Sequence, residues 1–147
     1  MATNVLTQVR LALWSALEAS SALQAFIAGG RAFKLGAGGY LPTRVTKDDC
    51  PALAVLPAQA EAERFGESLE ELRYRLRVVG WLYTDDAAKA EEFLLLIHDA
   101  VVAEAPDLGL DAVKGLAVGP LAFSPHFDQS AGRYWEVSVT VEAAIQR

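Results

Sequence analysis

A single cysteine, Cys50, stands in 147 residues, together with one methionine and two histidines. One thiol cannot close an internal disulfide, so the chain suits a reducing compartment or a fold that has no use for such staples. The scarcity also thins the chemistry. His98 sits mid-helix beside Ile97, and His126 lies in SPHFD with Asp128 but no second His or Cys near it, a poor start for a metal site. Both are read as structural histidines. Cys50 follows Asp48 and Asp49, the opposite of the electropositive setting that makes a thiol nucleophilic. Long apolar runs are missing too. The longest in the interior, FLLLI, has five residues, against the ~20 that span a bilayer. The opening MATNVLTQVRLALW lacks a basic region followed by an apolar run and a small-residue cleavage site, so no signal peptide is expected. Positive charge is short: 13 Lys and Arg against 19 Asp and Glu give a net charge of −6 and a pI of about 4.9. A free-standing DNA-binding domain usually carries the reverse balance.

What is present is the composition of one globular domain, 52% apolar and 22% charged. A chain of this size hides roughly 68–70% of its unfolded surface, enough for a real core. Hydrophobic periodicity predicts a helix from Asn4 to Ala28, with Val5, Leu6, Val9, Leu13, Ala16, Leu17, Leu23 and Ile27 on one stripe. Thr3 or Asn4 caps it, and Gly29-Gly30 stops it. Leu11 and Trp14 fall off the stripe, shielded by a neighbouring loop or reserved for another chain. From Gly29 to Pro51 the composition is that of an irregular segment, with room for a short strand near Arg31 to Leu35. Loops of this length tend to be functional, which makes Lys34, Tyr40 and Arg44 candidate contact residues.

Ala52 to Leu56 reads as a short buried strand closed by Pro57, followed by a charged link, QAEAERFGESLEE. A long strand runs from about Leu69 to Tyr83. Its even positions, Leu72, Tyr74, Leu76, Val78 and Leu82, are apolar; its odd positions begin charged and end with Val79, Trp81 and Tyr83. A second helix follows, capped by Thr84 or Asp85, cored by Phe93, Leu94, Ile97 and Val101, and stopped by Pro106. Two further strands lie near Val113 to Phe123 and from Arg133 to Ile145, joined by SPHFDQSAG, a link too long for a tight turn. The order helix, strand, strand, helix, strand, strand predicts an α+β fold: a mostly antiparallel sheet with two main helices on one face.

Catalytic signatures are not found. GAGG at 36–39 lacks the preceding strand, following helix and Lys-Ser/Thr pair of a phosphate loop. The acidic pairs Glu70-Glu71, Asp85-Asp86 and Glu91-Glu92 read as solvated charge, without the apolar pocket that tunes a carboxyl for acid catalysis. No catalytic or metal-binding constellation stands out from the residues themselves. The feature that calls for a partner is RYRLRVVGWLY. Arg73, Arg75 and Arg77 line one side of a strand in an acidic protein. Their partners are carboxylates across the sheet, Glu136 and Glu142 being candidates; carboxylates of another subunit; or, least in keeping with the charge balance, phosphates, with Trp81 and Tyr83 as stacking surfaces.

Taken together, the helix ending in IAGG, the approach DDCPALAVLP, the strand LRYRLRVVGWLYTD running straight into AAKAEEFLLLIHDAV, and the closing YWEVSVTVEAAI resemble the tail terminator proteins of long-tailed phages and gene transfer agents over nearly the whole length. The resemblance rests on packing patterns. It implies a cofactor-free virion protein at the tail and neck, assembled in the host cytoplasm. It further implies a hexameric ring that caps the tail tube protein, ends tube polymerisation and offers a surface to the head–tail connector, while double-stranded DNA passes through the channel. On that reading Arg73, Arg75, Arg77, Trp81, Tyr83, Leu11 and Trp14 are candidate subunit contacts, joined head to tail as a closed ring requires. Head–tail connectors and tail-completion proteins have similar size and pattern and are the alternative; a small enzyme or ligand-binding domain is the rival of another class.

Overall fold

The computed structural model describes residues 4–33, 45–66, 68–103 and 108–147. The fold is α+β: one mixed, mostly antiparallel five-stranded sheet with helices on one face, in the order α1 (Val5–Ala19), α2 (Ser21–Phe26), β1 (Arg31–Phe33), β2 (Ala52–Phe65), β3 (Leu69–Tyr83), α3 (Ala87–Val102), β4 (Val113–Asp128), β5 (Gly132–Gln146). Across the sheet the strands run β1-β2-β3-β5-β4. Only the short β1–β2 pair is parallel.

The expected single helix is two. Ser20 closes α1 and opens α2, its side-chain oxygen accepting from the Leu23 N–H at 3.2 Å. A serine that satisfies a free helix-start donor competes with continuation of the helix, and the break follows. At the start, Asn4 is the cap, accepting from Thr7 N–H at 2.9 Å. For α3 the cap is Asp86, two positions into the acidic run, with Thr84 accepting from its N–H. Trp14, expected off the stripe, is 5% exposed and belongs to the chain's own core. The stripe is wider than a strict seam because α1 packs against α2 and α3 as well as the sheet.

Strand lengths depart most from expectation. Pro57 does not close β2. A register shift between Pro57 and Gln59 absorbs it, and the presumed link pairs with β3 as far as Phe65↔Leu69. Likewise β4 passes through Gly119-Pro120 with a shift between Val118 and Leu121, and most of SPHFDQSAG continues the strand to Asp128. Both segments looked like links because they carry polar residues on both faces. They lie beyond the core, so ladder hydrogen bonds rather than apolar alternation hold them extended.

The core lies between the helices and one face of β2, β3, β5 and β4. Leu53, Val55, Leu76, Val78, Val137, Val139, Val141 and Ile145 face Val9, Leu13, Leu17, Phe93, Ile97 and Val101. Its tightest joint is at Gly80. A β-carbon there would stand 2.7 Å from the ring of Phe93, itself fully buried and stacked on Phe26 at 4.9 Å. Replacing Gly80 with Ala is therefore expected to cost about 1–3 kcal/mol by overpacking. Gly115→Ala, where a β-carbon meets nothing within 4 Å, is expected to change stability by less than about 0.5 kcal/mol. Urea unfolding of both variants checks this; equal effects would contradict the packing account.

Candidate assembly interface

No helix among the described residues covers the other face of the sheet; it is buried around Ala54, Val79 and Ser138 and exposed along the arginines of β3, and strand parity dictates what stands there. Odd positions of β3 face away from the core, so Arg73, Arg75 and Arg77 line that face with Gln59 and Glu61 of β2 and Glu142 of β5 as cross-strand neighbours. Arg75 Nη2 donates to Glu142 Oε2 at 3.0 Å. Arg73 Nε lies 3.5 Å from Glu71 Oε1 on its own strand. Arg77, exposed between Leu56 and Thr140, has no ion pair among the described residues. The arginine line thus divides: Arg75 and Arg73 meet carboxylates of their own chain, and Arg77 is left open.

The aromatic candidates are also engaged. Trp81 is half-buried beside Phe33, Ala52, Ala54, Val45, Cys50 and Leu56, a small apolar cluster on the open face. Arg31 caps this cluster, its guanidinium 5.5 Å from the Phe33 ring centroid and 3.5 Å from Asp49. Burial, then the neighbouring Asp49 charge, pushes the Cys50 thiol up to about 12, so it stays protonated and inert at neutral pH. Tyr83 stacks on Tyr134 at 4.8 Å, and Tyr134 on His126 at 4.9 Å. The Tyr83 hydroxyl donates to Asp128 Oδ2 at 3.1 Å, while Asp128 Oδ1 accepts from the backbone N–H and hydroxyl of Ser130. His126 Nε2 is 3.3 Å from Glu136 Oε2. With their faces turned toward one another, these rings brace the end of the sheet. Of the other candidates, Leu11 is half-buried on α1, and Lys34, Tyr40 and Arg44 lie outside the described residues.

The cross-strand stack of His126, Tyr134 and Tyr83 was not seen in the sequence, because its register depended on a segment read as a link. The same error hid the exposed Phe65 at the β2–β3 turn and Phe127 near the β4–β5 turn; Leu69, Leu121 and Phe123 are exposed as well. Phe123 meets Trp135 edge-on at 6.3 Å. The grooves near these ends are open and polar. One of about 430 Å³ is lined by Lys47, Tyr83, Thr84, Asp85, Phe127 and Arg133 among others. No group of three metal-ligating side chains occurs among the described residues, and no helix among them is long and apolar enough to cross a membrane.

The backbone matches a solved structure end to end. A chain of the virion of a native gene transfer agent particle superimposes with a TM-score of 0.65, covering 99% of this chain and 100% of that one at 12% identity. The two share a fold. No family model matches the sequence, and no curated protein does.

Two outcomes follow from the open face. In a double-mutant cycle, Arg75→Ala and Glu142→Ala should couple by about 0.2–1 kcal/mol; strict additivity in urea unfolding would remove the in-sheet pair. Burial, then the hydrogen bond to Asp128, pushes Tyr83 from an ordinary 10.0 up to about 12. Its contribution is therefore complete below pH 10 and lost as pH rises through 12, because the unfolded phenol ionises first. Stability should fall across that window, less steeply in Tyr83→Phe. Cys50 acts in the same direction and leaves a residual slope. An unchanged slope in the variant would contradict the assignment.

Proposed function

We propose that the chain is a structural component of a phage-like virion, assembled as a ring of six copies that caps the tail tube, ends its polymerisation and joins the tail to the connector at the neck. The observation that carries this reading is the full-length correspondence of fold with a chain of a gene transfer agent virion. The molecule supports it in a second way. One face of the sheet is closed by helices, part of the other is exposed, and apolar side chains are exposed at both ends of the sheet and, as Leu95 and Val102, on α3. Two unlike patches on one subunit are what a head-to-tail ring requires. Arg77, open on the uncovered face, is retained as a contact candidate, together with Leu11; Trp14 is withdrawn because it is buried in its own core. On this reading double-stranded DNA passes through the ring without sequence-specific contacts, and the chain carries out no catalysis.

Electron microscopy of the purified chain mixed with tail tube protein tests the proposal. The expected result is tubes of arrested length with added density at one end, and a ring-sized species in native mass spectrometry. Tubes that keep growing and bind none of the chain would overturn the terminator role. Binding to a portal or connector ring instead of tube ends would place the chain one step further up the neck.

A further inference from the structure

Two groups of exposed apolar residues sit at diagonally opposite ends of the sheet, with Leu121 between them opposite Val139. At one end the β2–β3 hairpin carries Phe65 at 49% exposure and Leu69 at 42%. At the other, near the β4–β5 turn, Phe127 is 68% exposed and Phe123 45%. Charge divides between the same two ends. Hairpin residues Glu61 and Glu63 share the open face with Phe65, two and four positions away, and line a groove with Glu71 and Arg73. Glu61 accepts from Gln59, but neither it nor Glu63 has an ion pair among the described residues, whereas Glu71 is held by Arg73. Around Phe127 the groove holds two exposed cations, Lys47 and Arg133, whose side chains likewise have no ion pair, and one acid, Asp85. The hairpin end is apolar with surplus negative charge; the groove around Phe127 sets two cations that have no ion pair among the described residues against Asp85, with Asp48 and Asp128 lining the adjoining groove beside Lys47.

We propose that these two ends dock on one another between copies of this chain: the β2–β3 hairpin of one copy laps over the β4–β5 end of the next. Phe65 and Leu69 then lie against Phe123 and Phe127, with Glu61 and Glu63 facing Lys47 and Arg133. The contact rests on the ring reading above and supplies its joint. The edges themselves are poorly made for strand-to-strand extension. Pro57 interrupts β2, and Pro120 and Pro125 interrupt β4, removing backbone donors where a new strand would add. Side chains rather than ladder bonds therefore carry the contact. Because the two ends are diagonal across the sheet, copies related by pure rotation need strands oblique to the ring axis, as in closed barrels.

Two charge-reversed chains test this. The hairpin variant carries Glu61→Arg and Glu63→Arg; the groove variant carries Lys47→Glu and Arg133→Glu. All four positions are exposed, and circular dichroism confirms folding before assembly is scored by native mass spectrometry and on tube ends. Each variant alone should assemble about 10- to 100-fold more weakly, since like charges then face each other. An equimolar mixture should recover assembly with the two chains alternating, and a chain with all four reversals should recover it by itself. Assembly of either single-sided variant at the unmodified level, or loss without recovery in the mixture, would overturn the docking while leaving the ring reading in place. An unmodified chain that forms no ring, alone or on tubes, would remove the ring reading and the docking with it.

Discussion

The packing of Phe93 onto Gly80 is the joint on which the arrangement depends. A strand residue without a β-carbon lets the ring of a helix residue descend onto the sheet, and Phe26 closes over that ring from α2. This contact draws α3 down onto β3 and β5 and brings α2 in beside it. Once α3 is placed, α1 fills the remaining width of the same face, and the apolar sides of β2, β3, β5 and β4 are buried together. The other face carries the small cluster around Phe33, Ala54 and Trp81 at one end and polar side chains along Arg73, Arg75 and Arg77.

The helices are shorter than the strands they cover, and that mismatch produces the ends of the molecule. α3 has 16 residues and rises roughly 24 Å. β3, with 15, extends roughly 50 Å. The surplus strand length emerges as two overhangs at opposite corners: the β2–β3 hairpin, and the β4–β5 turn braced by Tyr83, Tyr134, His126 and Asp128. These corners, rather than the arginine line, hold most of the unspent surface chemistry. Arg75 is matched within the sheet by Glu142 and Arg73 by Glu71, whereas Arg77 has no ion pair among the described residues.

The sequence made the fold class legible because three of its segments have a single strong period. Val137, Val139, Val141, Ala143 and Ile145 alternate without fault, Leu72 to Val78 do the same, and the Phe93, Leu94, Ile97, Val101 stripe has only one helical reading. The overhangs were illegible for a physical reason. A strand outside the core has no buried face, so its residues show no alternation; Pro57 then reads as a stop, and the strand through Gly119 and Pro120 reads as ending at Phe123. Pairing decided those segments, and pairing is a property of register across the sheet, which a local pattern does not encode. The division of the arginine line was half legible: Glu142 was named as a partner for it, whereas the same-strand pair of Arg73 with Glu71 was not foreseen. Trp14 was misplaced because a helix packed on two neighbours as well as a sheet buries more than one stripe.

On the proposed role the chain must be stable as a unit and still present surfaces that find copies and neighbours. Here the stable part is the helix-covered half of the sheet, and the surfaces offered are its open face and its two overhanging ends. Hydrogen exchange of the chain free and bound to tube ends tests that division most directly. The account predicts new protection in the hairpin, Pro57 to Leu69, and in the turn region, Ser124 to Arg133, with α1 and the buried stretch of β5 unchanged. Protection gained on α1 and the solvent side of α3, with both overhangs unaltered, would contradict it.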